Sequence, residues 1–350
     1  MSRAQLTSTV EQNTGGAVSP YVAGKNFVIN GGMDIWQRGT SISLAANTTS
    51  ANAFNTDRWF LPTGTNQAST VSRQSVSDST NLPNIQYCAR VQRNSGQTGT
   101  AQMAFNYNFE TANSIPFAGK TITVSFYARA GANYSPTSSV FISQLYTGTG
   151  TDQNIQVGGF TGQTLAVNQS NTLTTTWQRF SYTYAVPGTV TQFAYIFLWT
   201  PTGTAGANDY FEITGVQMEI GSVATPFSRA GGTLSGELAA CQRYYFRSNS
   251  ATNSNSFLAP LGNAISSTAW TCAYTLPVTM RTAPNALDYS GMVYYDGNTP
   301  VTISTLTLNQ TNQNTPYLYG TAASGLTAFR GYYLFANTSS TAYIGFSAEL

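Results

Sequence analysis

Histidine is missing from this chain altogether, and charge of either sign is scarce. The 350 residues hold 15 basic and 13 acidic side chains, 8% of the whole, where an average soluble domain carries roughly 25%. Without imidazole there is no histidine base, no histidine-ligated metal and no protonation switch near pH 6. Lysine is confined to Lys25 and Lys120, and the arginines are scattered. No basic patch points to nucleic acid. Cys88, Cys241 and Cys272 are too few and too far apart for a disulfide framework, so free thiols are expected. No apolar run approaches the roughly 20 residues of a membrane span. Residues 1–24 are polar and lack the apolar stretch of a signal peptide. A chain made in a cytoplasm, without membrane insertion, is expected.

What the sequence does have is aromatic rings, hydroxyls and amides: 21 tyrosines, 19 phenylalanines, 31 glycines and a surface of Ser, Thr, Asn and Gln. Such polar residues form poor helices and suit strands and turns. Alternation with period two recurs. Met103, Phe105, Tyr107 and Phe109 alternate with Ala104, Asn106, Asn108 and Glu110. Ile122, Val124, Phe126 and Ala128 alternate with mostly polar neighbours, and Phe180, Tyr182 and Tyr184 do the same. These predict half-buried antiparallel strands. The run from Phe193 to Trp199 is apolar on both parities and predicts a central strand. In Phe211-Glu212-Ile213-Thr214-Gly215-Val216-Gln217-Met218-Glu219-Ile220 the apolar parity changes at Gly215. A bulge there would turn Phe211, Ile213, Val216, Met218 and Ile220 all to the core.

A Gly-rich join over residues 226–240 marks the best domain boundary. After it, residues 241–246, 270–276 and 343–346 give the clearest strands. The fold class is therefore all-β, with two antiparallel sandwiches after a short extended arm. The arm covers residues 1–25, the first sandwich 26–228 and the second 237–350. The arm is too polar to fold alone and orders only against a partner.

Two stretches carry a family resemblance. The first is Asn26-Phe27-Val28-Ile29-Asn30-Gly31-Gly32-Met33-Asp34-Ile35-Trp36-Gln37-Arg38-Gly39 followed by Asp57-Arg58-Trp59. The second is Glu237-Leu238-Ala239-Ala240-Cys241-Gln242-Arg243-Tyr244-Tyr245, then Pro277 to Pro284 and the terminal Ala348-Glu349-Leu350. In this order they resemble bacteriophage tail-fibre and virion-surface proteins, whose first domain is similar to jelly-roll carbohydrate-binding modules. The resemblance implies a homotrimer on a virion surface, released by lysis. It implies partners among other virion proteins, reached through the arm, and a host-surface glycan. No cofactor is required on this reading, although such modules hold a structural calcium. Asn30-Gly31-Gly32-Met33-Asp34 matches their first-strand pattern with Asp in place of Glu, and Asp209 or Glu212 would be the last-strand acid. Asp34 and Glu212 are thus the calcium candidates. Asp34 in a turn, or paired with Arg38, is the plainer alternative.

Sugar binding needs exposed ring faces beside hydrogen-bonding side chains. Tyr127 with Arg129, and Trp177 with Arg179, stand on the polar parity of their strands and are the glycan-binding candidates. The plainer alternative is packing against a neighbouring loop or subunit. Trp36 and Trp59 fall within the resembling motifs and are expected in the core. Hydrolysis of a glycoside needs two convergent carboxylates. The acids that cluster, Asp209, Glu212 and Glu219, lie on or beside one core strand. Cys241 has no histidine to make it a thiolate and is expected as a packed strand residue. The expectation is therefore a non-catalytic adhesin that binds host glycans. The alternative is a head-decoration, head-fibre or collar protein with a purely structural role.

Overall fold

The computed structural model describes residues 24–46, 52–54, 56–62 and 67–350. All but the last two residues of the expected arm lie outside these. The chain divides into two units that part between Leu238 and Ala239, with Leu350 falling in the first.

In chain order the first unit runs β1 (Ser41–Leu44), β2 (Asn52–Phe54), β3 (Trp59–Pro62), β4 (Ser69–Ser75), β5 (Tyr87–Arg93) and β6 (Met103–Asn108). After a short helix α1 (Thr111–Ser114) come β7 (Thr121–Ala130), β8 (Val140–Gly148), β9 (Thr164–Thr172), β10 (Gln178–Ala185), β11 (Gln192–Trp199) and β12 (Tyr210–Ile220). They form two six-stranded sheets, β1-β4-β5-β12-β7-β10 and β2-β3-β6-β11-β8-β9, and every pairing is antiparallel. The chain crosses repeatedly between the sheets, with only β2–β3, β4–β5 and β8–β9 pairing as neighbours in sequence, so each sheet is assembled from distant parts of the chain in a jelly-roll-like sandwich. One core lies between them, with Val124, Phe126, Phe211 and Ile213 from the first sheet and Phe105, Tyr107, Phe141 and Phe197 from the second.

β11 is interior to its sheet, as its double-sided apolar run predicts. The expected bulge is present: Gly215 has φ +59° and the β12–β7 register shifts between Thr214 and Gln217. Phe211, Ile213, Val216 and Met218 are all fully buried as a result. Ile220 is not; the strand leaves the core at Met218, and Ile220 is half exposed. β6 departs from the half-buried expectation, since all six residues are buried. Its second face is covered because Ile155 and Phe160, from the β8–β9 connection, pack with Ala104, Ala194 and Ile196.

The residues of the first resembling motif form turns rather than a strand, and they staple the sandwich together. The buried Asn26 side chain donates to the carbonyls of Val216 and Ser228 and accepts from the amides of Val28 and Met218. Asn30, at φ +59°, donates to the Ile35 and Asp57 carbonyls and to Thr56, and accepts from the Ile35 amide. Both amides are satisfied wholly inside the protein, which is what makes buried polar groups tolerable there. Asn at the left-handed position of a turn is likewise favourable.

Alternation predicts a strand over residues 241–246, and here the structure differs. A helix α2 (Leu234–Gln242) runs through Cys241, and the next strand begins at Tyr245. Glu, Leu and Ala are strong helix formers. Glu237 secures the first turn by accepting from the amides of Gly231 and Asn30.

The second unit contains β13 (Tyr245–Asn249), β14 (Gly262–Ala264), β15 (Ala269–Ala273), β16 (Ala286–Ser290), β17 (Val293–Tyr295), β18 (Pro300–Thr302), β19 (Thr305–Asn309), β20 (Tyr317–Thr321), β21 (Gly331–Phe335) and β22 (Tyr343–Ser347). They make a three-stranded sheet, β13-β22-β16, and a seven-stranded one, β18-β17-β21-β14-β15-β20-β19. Trp270, Tyr294, Leu318, Leu334, Ile344 and Phe346 fill the core between them.

In the smaller sheet Arg247, Gly345 and Asp288 stand in one row. The missing side chain at Gly345 lets Asp288 reach across β22. There it accepts from the Tyr245 hydroxyl (2.9 Å) and pairs with Arg247 (2.5 Å). A Cβ at position 345 would fall on the Asp288 carboxylate and the Tyr245 hydroxyl. Gly345→Ala is therefore expected to destabilise the second unit by about 1–3 kcal/mol, read as a lower urea midpoint with unchanged slope. An unchanged midpoint would show that this network gives way without cost.

Candidate functional site

The outer face of the first sheet brings the sequence-predicted residues together. Arg90 on β5, Glu212 on β12 and Arg129 on β7 stand directly across from one another. Glu212 is fully buried. Its Oε1 accepts from Arg90 Nη2 at 2.6 Å and its Oε2 from Arg129 Nε at 2.5 Å. The Arg129 guanidinium lies over the Trp177 ring at 5.0 Å, and the Arg90 guanidinium over Tyr210 at 4.0 Å. Arg179 opposes Tyr127 across β10 and β7 and covers its ring at 5.4 Å.

Trp177 retains only 8% of its surface, packed with Leu82, Ile85, Cys88 and Phe227, and Tyr127 lies against that cluster. The open ring faces expected of Tyr127 and Trp177 are thus taken up by arginine and by packing. The reason is out of reach of strand parity: residues 76–88 and 225–229 fold back over this face. Trp36 and Trp59 are buried core residues, as expected.

The proposed calcium ligands do not fit the ion. Asp34 pairs with Arg229 (Oδ2–Nε 2.7 Å, Oδ1–Nη2 3.3 Å) rather than with Arg38, and both oxygens of Glu212 are held by arginines. Calcium takes roughly six to eight oxygens. Here four carboxylate oxygens already face guanidinium groups, and among the described residues no three His, Cys, Asp or Glu gather as a metal cluster.

The remaining clustered acids are engaged separately. Glu219 accepts from Thr225, and Asp209 is paired with Arg93. Burial pushes the Cys272 thiol up to about 11 and that of Cys88 higher still, so neither is a thiolate at neutral pH. Cys241 is a buried helix residue.

On the second sheet, the β8–β9 connection covers the middle of the outer face. Under it Asn106 is fully buried, with neither side-chain atom hydrogen-bonded. At one end of the face the cover stops and a cleft of about 360 Å³ opens. Its walls are Val140 and Ile142 of β8, Trp199 at the end of β11, Pro136, and the hydroxyl residues Thr137, Ser138, Thr200 and Thr202. No lining residue carries a charge. Trp199 is 1% exposed and stacked parallel to Tyr134 at 5.7 Å. Its Nε1–H is buried without an acceptor. A buried indole N–H normally finds a partner; this one lies in the core between Tyr134 and Phe211, beside the cleft that Trp199 helps to line.

The wall of the cleft is built on a buried ion pair. Arg93 and Asp209, both fully buried, meet at 3.0 Å. Arg93 Nη2 also donates to the carbonyls of Gln97, Gly99 and Gly203, each at 2.7 Å. Asp209 accepts from the amide and hydroxyl of Ser135 (2.9 and 2.8 Å), and the Ser135 hydroxyl in turn accepts from the Thr202 amide. Ser138 and Ser139 follow at φ +54° and +51°, a costly conformation for non-glycine residues that persists only where the surroundings enforce it. Sequence reasoning missed this site because Trp199 ends a run that reads as buried strand. The available signal was the pair of hydroxyl-rich segments at 135–139 and 200–202.

No protein-family model matches the chain, and no curated protein matches it. Among solved structures it is similar to a CBM4 domain at 20% identity (55% of this chain and 100% of that one, TM-score 0.31). It is also similar to the CBM22-1 xylan-binding domain of Paenibacillus barcinonensis Xyn10C at 14% identity (58% and 98%, TM-score 0.32). A third similarity is to the enzymatically active domain of bacteriophage CBA120 tailspike protein 4 at 11% identity (58% and 22%, TM-score 0.33).

Proposed function

We propose that this chain is a non-catalytic glycan-binding protein of a phage particle surface, and that the cleft beside Trp199 receives a neutral saccharide. The observation that carries this reading is an uncharged cleft that combines four hydroxyl side chains, an aliphatic wall and the flank of Trp199. Sugars present the complementary set, with hydroxyls on the rim and C–H groups on the faces. The volume is near the lower end of ligand clefts, roughly 300–1,000 Å³, which suits a chain end. Anionic ligands would meet no cation in the lining.

The carboxylates support the non-catalytic reading. Asp34, Asp209 and Glu212 are neutralised by arginines, and no two are directed at the cleft as an acid and base would be. Assembly as a homotrimer, attachment to other virion proteins through residues 1–25, and a host-surface glycan as the target belong to the same proposal and rest on the motif resemblance. Weak single-site binding would then be multiplied by the copies on a particle. The cover over the middle of both outer sheet faces favours a second reading, a bracing or decoration protein with no ligand.

On this reading the ligand becomes the acceptor that the Trp199 N–H lacks. Trp199→Phe, which keeps an aromatic ring and removes the N–H, is therefore expected to weaken binding of the preferred oligosaccharide roughly tenfold, the worth of one hydrogen bond of about 1.4 kcal/mol. Val140→Trp, which fills the cleft, should abolish binding. Isothermal titration after a glycan-array screen checks both, and unaltered affinity in the two variants would exclude the cleft. Immunogold labelling of particles separates the readings: gold at the tail supports receptor recognition, whereas gold over the head supports decoration.

A further inference from the structure

We propose that the second unit carries its own saccharide platform, on the outer face of the seven-stranded sheet, suited to a segment of a neutral polysaccharide laid across the strands. This site is separate from the cleft of the first unit. The inner parity of this sheet is settled by the core: Trp270 and Cys272 on β15, Leu306 on β19, Leu318 on β20, and Tyr332 and Leu334 on β21 are buried. The opposite parity therefore faces outward.

Pairing places Thr307, Tyr319, Thr271, Asn263 and Gly331 in one unbroken row over five strands. At a strand spacing of roughly 4.8 Å the row spans about 19 Å. Two residues along β21, Tyr333 extends the surface and stands opposite Tyr295 on β17.

Three properties of this face point to a sugar. It carries no formal charge: the charged residues adjoining it in the chain, Asp296 and Arg330, are paired with each other at 3.0 Å. A nucleic acid or acidic glycan would find no unpaired cation there, so the complementary partner is itself neutral. Tyr319 and Tyr333 are only half-buried, and neither hydroxyl has a hydrogen-bond partner among the described residues. Tyr319 stands between Thr307 and Thr271 with Asn263 next in the row, and Tyr333 lies beyond Gly331. Rings with unused hydroxyls beside Thr and Asn match the C–H faces and hydroxyl edges of pyranoses.

The surface is also held in place before any ligand arrives. Phe257 packs on Tyr333 at 4.8 Å and on Phe335 at 5.1 Å, and Tyr295 stacks on Phe335 at 4.7 Å. Phe257 nevertheless remains 57% exposed, and so does 54% of Leu261, which fills the space above Gly331. Ordered aromatic rings lose little freedom on binding. The cleft suits a chain end, whereas this row suits the interior of a chain.

The test uses the full chain in native affinity gels cast with soluble xylan, β-1,4-galactan or mixed-linkage β-glucan. It compares wild type, Tyr319→Ala with Tyr333→Ala, Asn263→Ala, and Trp199→Phe. At least one polymer should retard the wild type. Tyr319→Ala with Tyr333→Ala should weaken that retardation tenfold or more and Asn263→Ala severalfold, while Trp199→Phe leaves this component in place. Asn263 is exposed, so its variant keeps the test valid should the double variant fold poorly.

Retardation unchanged in both the double variant and Asn263→Ala overturns the proposal, as does a wild type retarded by none of the three. If only Trp199→Phe lowers retardation, the cleft stands and this face falls. If the tyrosine variants lower the sedimentation coefficient while retardation is unchanged, the face joins copies of the chain and the proposal is equally overturned.

Discussion

Asp209→Asn is expected to destabilise the first unit by about 3–5 kcal/mol, a drop in melting temperature on the order of 10 °C for a domain of this size. Arg93 and Asp209 are both completely buried, 3.0 Å apart. Removing one charge of such a pair leaves the other without compensation in a medium that solvates it poorly. Asparagine is nearly isosteric, so the loss reports charge and hydrogen bonding rather than a cavity. Three carbonyls on the guanidinium offset part of the penalty, which places the expected value toward the lower end of the range. The variant also removes an anchor of Ser135. Saccharide affinity at the cleft should therefore fall together with stability, even though Asp209 is not among the residues that line it. Calorimetry and titration on the same preparation check both effects. A loss below about 1 kcal/mol would show that the carbonyls alone hold Arg93, and intact affinity would show that the wall of the cleft does not depend on the pair.

Trp59→Ala is expected to cost a further large amount, about 3–5 kcal/mol, by a different mechanism. The ring is fully buried, stacked on Phe105 at 5.1 Å and packed on Tyr107 at 5.0 Å and Phe197 at 6.0 Å. Its Nε1 donates to the Asn30 carbonyl at 3.3 Å. Truncation leaves a cavity between two stiff sheets and unties the turn that Asn30 organises. Four of the five tryptophans precede residue 238, and Trp270 alone reports the second unit. In denaturant, the fluorescence change that Trp270→Phe removes reports the second unit, and its midpoint should be unmoved by Trp59→Ala, because distant independent sites contribute additively. A shift of the Trp270 transition would mean that the two units unfold as one.

The resembling motifs illustrate how sequence signals divide between structure and function. Asn26, Asn30, Asp57 and Trp59 are memorable in the sequence, and each proves to be a staple or a core filler. Asp57 accepts from the Gln37 amide at 3.0 Å. The arginines and rings at Tyr127, Arg129, Trp177 and Arg179 were correctly grouped by strand parity and do assemble, yet as a brace. Parity tells which side of a strand a residue occupies; it is silent on what lies over that side.

The sequence by itself therefore determined the all-β class, the interior position of β11 and the bulge at Gly215. It also determined most of the core of both units, because period-two burial and a glycine at positive φ are local properties of a strand. It determined the absence of histidine chemistry as well. Tertiary structure alone decided that Glu237 ties the helix over residues 234–242 to the Asn30 amide and that Asp34 meets Arg229, 195 positions away. It alone decided that the middle of both outer faces of the first sandwich is covered and that Trp199 borders an open cleft. These depend on pairings between segments far apart in the chain. Antiparallel sheets woven from strands far apart in sequence bring such segments together only once the whole sandwich closes.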